Sequence, residues 1–212
     1  VAAITGGEKI GIFGDYDVDG ASSSSILAKF FAALGREVTV YIPDRIREGY
    51  GPNAPALLKL KEEGVSLVIT VDCGTTAFGP LDAAAEAGLD VIVVDHHVAE
   101  PRLPKAVAVV NPNRLDETST LGQLCAAGVT FLLVVAVNRA LRNAFWYGEG
   151  HAEPNLMSWL DIVALATVAD VVPLTGVNRA LVRQGLAIMA QRGNPGLAAL
   201  CALILADVAD TR

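Results

Sequence analysis

The chain predicts an α/β fold: a parallel sheet with helices on both faces, followed by a mainly helical C-terminal portion. Three observations carry that expectation. Short, almost continuously apolar runs alternate with helix-length segments through the first two thirds of the 212 residues. Strands of that kind belong to a parallel sheet covered on both faces. Beyond a polar connection at 111–122, the pattern turns helical.

The elements follow in order. KIGIFG (9–14) reads as the first strand, and a helix near 21–35 stops at Gly35. EVTVYI (37–42) is the second strand, followed by a helix over 53–63. LVITV (67–71) is the central strand, and the helix at 78–88 stops at Gly88. DVIVV (90–94) and AVAVV (106–110) complete the sheet, and NPNRLDETSTLG (111–122) is the polar connection. Helical stretches follow at 124–143, 155–169, 177–192 and 196–206. The expected organisation is one domain over 1–212, with a sheet core at 1–122 and a helical part at 123–212. The first residue is Val1 rather than Met, and Arg212 closes a segment that still reads as helix, so a piece of a longer protein is expected.

Composition narrows the class. Hydrophobic residues make up 52% and charged residues 18%, which excludes a disordered chain. No apolar run reaches the roughly 18–20 residues of a spanning helix, so no membrane role is expected. No basic stretch followed by an apolar one marks a secretory leader. Three cysteines without a C-x-x-C spacing fit a reducing cytoplasm better than a disulfide framework or a zinc ribbon. The net charge is −7 with no basic stripe, unlike a chain that grips nucleic acid by its phosphates. A phosphodiester substrate would need cations, a few placed arginines or chain beyond this sequence.

In an open parallel sheet, ligands bind beyond the carboxyl ends of the strands. Three of the expected strands end in acid there: IGIFGDYDVDG brings Asp15, Asp17 and Asp19, LVITVDCG brings Asp72, and VIVVDHH brings Asp95, His96 and His97. VALATVADVVPL adds Asp170 after a long apolar stretch, an expensive place for an unpaired carboxylate. Carboxylates gathered without basic partners repel one another, and a cation removes the conflict. Oxygen donors with one or two imidazoles suit Mn²⁺ or Mg²⁺ better than zinc. Two such ions about 3.5–4 Å apart would clamp a phosphoryl group, with Asp72 as the bridge.

Each candidate also has a plainer reading. A strand-end Asp can be a turn residue or helix N-cap, and Asp15 and Asp95 are the most open to that. His151 lies in a Gly/Pro loop and reads as solvated, and Cys73 reads as a small buried residue. Ser22–Ser25 either start a helix or offer hydroxyls, chiefly Ser22 and Ser23, to a phosphate. Arg45, Arg47 and Arg179 either steady backbone phosphates or are surface residues. DVDGA is also similar to the D-x-D-G-T opening of haloacid-dehalogenase-type phosphatases, but two histidines stand at a later strand end where those enzymes need other groups. Neither a P-loop nor a G-x-G-x-x-G fingerprint is present.

DYDVDG, VDCG, DHH and ATVADVVPL, in this order, resemble the four motifs of the DHH phosphoesterase superfamily. IPDRIREGYG (42–51), LCAAGVTFLL (124–133) and LDIVALATVADVVPLTGVNRALVRQGL (160–186) resemble its RecJ-type exonucleases. Cys-Ala-Ala-Gly stands for the commoner Ser-Gly-Ala-Gly, and Ala166 for a glycine. The resemblance covers roughly residues 8–205. It implies a 5′-to-3′ exonuclease on single-stranded DNA that uses two Mn²⁺ or Mg²⁺ ions in recombination and repair. It implies metal ligands at Asp17, Asp19, Asp72, His96 and Asp170, with Asp15 as a further ligand or support, and His97 at the scissile phosphate. Helicase or single-strand-binding protein partners, and downstream DHH-associated and oligonucleotide-binding domains outside this chain, belong to the same implication. Two other readings remain: a DHH phosphoesterase of short oligoribonucleotides or cyclic dinucleotides, and a non-catalytic nucleic-acid-binding subunit.

Overall fold

The structure, a computed structural model, describes residues 1–148 and 150–210. Five parallel strands form one sheet: β1 (Ile10–Gly14), β2 (Val38–Tyr41), β3 (Leu67–Val71), β4 (Asp90–Val94) and β5 (Ala108–Val110). Their order is β2-β1-β3-β4-β5. The chain leaves β1 for β2 on one side, then crosses to β3 on the other. The carboxyl ends of β1 and β3 therefore flank the point where the winding reverses, and this crevice is where such sheets bind ligands. Register brings Gly14 beside Val71 and Val71 beside Val94, so these strand ends lie level.

The near-continuous apolar runs are explained by burial on both faces. Ile10, Ile12, Ile69, Val71 and Val94 face a core built with α2 (Val18–Ala33), α6 (Ala126–Asn143) and α7 (Leu160–Ala169). Their neighbours in alternation, Phe13, Val68, Val91 and Val93, pack with Leu57 and Leu60 of α4 (Ala54–Glu62) and Leu81 and Ala84 of α5 (Phe78–Glu86). Each fully buried side chain of this size contributes roughly 1.5–3 kcal/mol. The helical portion thus shares its core with the sheet, which brings α7 to the site. Against α7 packs α8 (Gly176–Met189), so closely that a Cβ on Gly185 would lie 2.1 Å from the Leu160 carbonyl oxygen.

Element boundaries depart from the sequence pattern in instructive places. α2 starts at Val18 rather than near 21, because the Asp17 side chain caps it by accepting the Gly20 N–H at 2.9 Å. Two short helices, α1 (Ala2–Gly6) and α3 (Arg45–Glu48), carry no full apolar period and are not foreseen. The stretch at 155–169 is a 3₁₀ turn (Leu156–Trp159) leading into α7. The last helix, α9, runs Pro195–Asp210, and the expectation of helix at Arg212 lies outside the described residues. No helix among the described residues is long and apolar enough to cross a membrane.

Candidate metal centre

The strand-end acids converge. Asp15, Asp17 and Asp72 bring one carboxylate oxygen each within 4.8 Å of one another, and Asp19, His96 and Asp170 form a second such group. Asp72 also groups with His96 and His97, so Asp72 and His96 join the two sets. His96 Nε2 lies 3.3 Å from Asp72 Oδ1 and 3.8 Å from Asp19 Oδ2, and its Nδ1 lies 3.8 Å from Asp170 Oδ2.

Each acid is held by its own device. Asp19, buried in the first turn of α2, accepts the N–H of Ala126 at 2.6 Å and of Ala127 at 2.8 Å, the first two residues of α6. Two free donors at a helix start form a carboxylate cradle, and the small side chains of that start allow the approach. Gly20 is obligatory in the same loop, since a Cβ there would lie 2.6 Å from the Asp15 carbonyl oxygen. Asp72 adopts a left-handed backbone with φ 62°, held by its N–H to Val94 O at 3.0 Å and by the Tyr50 hydroxyl donating to its carbonyl at 2.9 Å. Asp170 ends α7, and Val171 after it is also left-handed at φ 58°.

Asp95 plays a different part. It is buried and lies outside the converging groups, and its carboxylate accepts the backbone N–H groups of Thr75, His96 and His97. It also binds His97 Nδ1 at 2.7 Å. Burial alone would push this carboxyl up, but the His97 ring and the Thr75 donors outweigh it and hold Asp95 well below the usual range. The same contact raises His97. With Nδ1 committed to Asp95, the half-exposed His97 ring has Nε2 left for solvent or substrate.

The donor set fits a divalent cation. Asp15 Oδ1 and Asp170 Oδ2 are buried without a hydrogen bond, and Asp72 Oδ1 has only its approach to His96. No lysine or arginine among the described residues forms an ion pair with these acids. Burial, and then the charges of Asp19 and Asp17, push Asp72 up to about 7 against the pull of His96. Burial likewise raises Asp15, Asp19 and Asp170. His96 is raised to about 9, because Asp72, Asp19 and Asp170 outweigh its burial. Several oxygens and an imidazole, with no lysine or arginine paired to them among the described residues, suit Mn²⁺ or Mg²⁺, and the buried thiol of Cys73 stays outside the set.

The phosphate candidates separate. Ser22 lines a cleft of about 520 Å³ together with Asp17 and Tyr16. Ser23 is fully buried inside α2, which corrects the expectation that its hydroxyl faces a phosphate. Arg45 stacks on Tyr16 with 4.5 Å from guanidinium to ring centre, and its charge is felt at Asp15. Arg47 points outward and pairs with Asp44 at 3.9 Å, and Arg179 is exposed on α8. His151 is exposed and lies tilted against Trp146 with ring centres 4.4 Å apart. Tyr50, Asn111 and Asn113 touch the site and are absent from the sequence expectations. Asn111 and Asn113 lie in what reads as a plain polar connection, and only the third dimension reveals all three.

Relatives share this arrangement of chain. The single-stranded-DNA-specific exonuclease RecJ of Dickeya dadantii (strain 3937) is 40% identical over 210 residues, 98% of this chain and 36% of that protein. A crystal structure of exonuclease RecJ bound to manganese superposes with a TM-score of 0.81 at 37% identity, covering 95% of this chain and 49% of that one. RecJ from Thermus thermophilus in complex with Mn²⁺ gives 0.76 at 35% identity, covering 95% and 27%. The chain thus spans well under two thirds of each. The N-terminal domain of the DHH family matches residues 9–167, which takes in the whole sheet and every strand-end acid and histidine described above. With that stretch matched, the chain belongs to the DHH family.

Proposed function

We propose that this chain is the catalytic domain of a metal-dependent phosphodiesterase that degrades single-stranded DNA from its 5′ end in recombination and repair. The observation that carries the reading is the joining of two ligand groups through Asp72 and His96, with buried carboxylate oxygens left without donors. The names of the relatives, all single-stranded-DNA-specific exonucleases, support the substrate.

Asp15, Asp17 and Asp72 would hold one ion, and Asp19, His96 and Asp170 the other, with Asp72 reaching both. When bound, the ions supply neutralisation of phosphoryl charge and a nucleophile at neutral pH. The chain does the rest. The N-terminus of α6 fixes Asp19, and Tyr50 fixes the backbone of Asp72. Asp95 keeps a proton on His97 Nδ1, so His97 Nε2 is directed at a phosphoryl or leaving oxygen and, when protonated, donates to it. Arg45, stacked on Tyr16 at the lip, and Ser22 in the cleft steady the adjoining backbone phosphates. We place the protein in the cytoplasm, acting where a helicase or single-strand-binding protein presents the strand.

The test is Mn²⁺-dependent release of nucleotides from a 5′-phosphorylated single strand, run beside a duplex and a cyclic dinucleotide. Cleavage of the single strand from its 5′ end, lost in Asp72→Asn, is the expected result. Preference for the dinucleotide, or full activity in Asp72→Asn, overturns the reading.

A further inference from the structure

The residues that follow β5, Asn111-Pro112-Asn113, use their side-chain amides on the loop that carries the two histidines. Asn111 Nδ2 donates to the His97 carbonyl at 2.8 Å and to Thr75 Oγ1 at 2.9 Å. Asn113 Nδ2 donates to the His96 carbonyl at 2.5 Å and to Gly122 O at 3.1 Å. We propose that Asn111 and Asn113 are positioning residues, a paired amide clamp that sets the direction of both imidazoles by gripping the His97 and His96 peptides. The inference rests on the metal-dependent reading above and deepens it.

An asparagine that merely shapes a turn spends its side-chain oxygen on a nearby N–H. Asn111 does this too, accepting the Asn113 N–H at 2.8 Å. The amide donors are left over from that local task, and both sets leave the segment for consecutive carbonyls of another loop. Those carbonyls lie past the end of β4, and among the described residues the two amides are the hydrogen-bond partners they find. A ring's direction follows the peptide that carries it, and Asn111, buried, is a rigid support. Through Thr75, whose N–H reaches Asp95 Oδ2 at 3.0 Å, the clamp also touches the acid that orients His97. Partners behind a ligand commonly set its affinity by about 10–100-fold.

The test is a manganese titration by calorimetry on the 212-residue chain, with ¹H–¹⁵N spectra of the histidine rings in metal-free protein. Asn111→Asp and Asn113→Asp keep the shape and remove the N–H donors. Their added negative charge alone would tighten cation binding, so a loss reports geometry. Asn113→Asp, behind His96, is expected to weaken Mn²⁺ binding about 10–100-fold; Asn111→Asp, behind His97, should change it far less, and each should move the ring signals of its own histidine. Asn111→Ala and Asn113→Ala, which bring no new charge, should do the same and serve if an Asp variant fails to fold. Asn138→Asp, a buried amide whose Nδ2 binds Glu153 far from the site, should unfold earlier yet bind Mn²⁺ as wild type. Wild-type affinity with unmoved ring signals in the folded Asn111 and Asn113 variants overturns the clamp. Asp72→Asn, titrated alongside, separates the two readings: unchanged affinity there defeats the metal centre itself, whereas loss there with retention in the Asn113 variants and unmoved ring signals in both pairs of variants defeats only the clamp.

Discussion

Asp19 and Ala126 are 107 residues apart in the chain, yet the carboxylate of one takes the backbone N–H of the other at 2.6 Å. The Ala127 N–H binds the second oxygen at 2.8 Å. Asp19 therefore ties the sheet half of the protein to the helical half, in addition to facing His96. Asp17, two residues earlier, is exposed and caps only its own helix. Asp19→Ala should cost the metal-free protein about 2–4 kcal/mol, since two buried N–H groups lose their acceptor. Asp17→Ala should cost only about 1 kcal/mol, the worth of an N-cap. Urea unfolding in the presence of a chelator measures both. Equal losses would remove the structural role of Asp19.

The pairing of strain and charge at Asp72 gives an opposite sign. Its carboxyl is raised to about 7, above the unfolded value of 3.8, by burial and neighbouring acids. A group raised in the fold contributes stability that is present below the unfolded value and lost as pH rises through the folded one. Wild type should therefore lose stability across that window while Asp72→Asn does not, and asparagine also tolerates the left-handed backbone better than most residues. Metal-free Asp72→Asn should exceed wild type by about 2 kcal/mol above pH 7 and match it near pH 4, while failing to bind Mn²⁺. Chelator-treated unfolding curves at several pH values check this. A variant less stable than wild type throughout would contradict it.

Much of this centre is legible in the primary structure, for a physical reason. Apolar runs that end in acid can be read locally, and a parallel sheet brings every such end to one rim, so Asp15, Asp17, Asp19, Asp72 and His96 meet without any knowledge of loops. Asp170 is legible because a carboxylate after VALATVA has no inexpensive place except beside a cation or a partner. The supports are not legible. Whether Asp19 meets the start of α6 depends on how two helices pack, and nothing local to LCAAGV announces a carboxylate cradle. Asp17 shows a limit of another kind: N-cap and ligand read as alternatives in sequence, but in space one oxygen caps α2 while the carboxylate still belongs to the cluster. α3 is missed because four residues, RIRE, hold no period to detect.

On the proposed ligand set, protons would compete with cations at this centre. Asp72 at about 7 and His96 at about 9 would both have to give up protons in order to ligate. Mn²⁺ affinity should climb as pH rises through about 7 and continue toward about 9. Calorimetry near pH 7 in buffers of different ionisation enthalpy should detect proton release on binding. Affinity flat across that range would show that these groups do not ligate.

Tyr50 supports Asp72 from outside. Its hydroxyl donates to the Asp72 carbonyl at 2.9 Å and stands 3.3 Å from His97 Nδ1, while 55% of the residue remains exposed. Tyr50→Phe keeps the ring and deletes the tether. Stability should fall by no more than about 1 kcal/mol. The turnover rate should drop about tenfold with little change in KM, because the fault lies in the geometry of the reacting groups and not in strand binding. A change confined to KM would assign Tyr50 to substrate contact alone.

Asp95→Asn separates orientation from metal ligation. The carboxylate accepts from Thr75 N, His96 N, His97 N and the His97 ring, and an amide must turn an NH₂ toward at least one of these donors. At neutral pH the variant should lose about 2–4 kcal/mol of stability. Asp95 is depressed in the fold, so its contribution is present above the unfolded value of 3.8 and fades as pH falls toward the folded one. The gap between variant and wild type should narrow in acid accordingly. Without the carboxylate, His97 no longer has its proton fixed on Nδ1, and Nε2 ceases to be reliably presented to the phosphate. Strand cleavage should therefore fall by about 100-fold or more, while Mn²⁺ binding, which the proposed ligand set assigns to other carboxylates and to His96, should fall far less. Parallel loss of metal affinity and cleavage would instead place Asp95 among the groups that hold the ions.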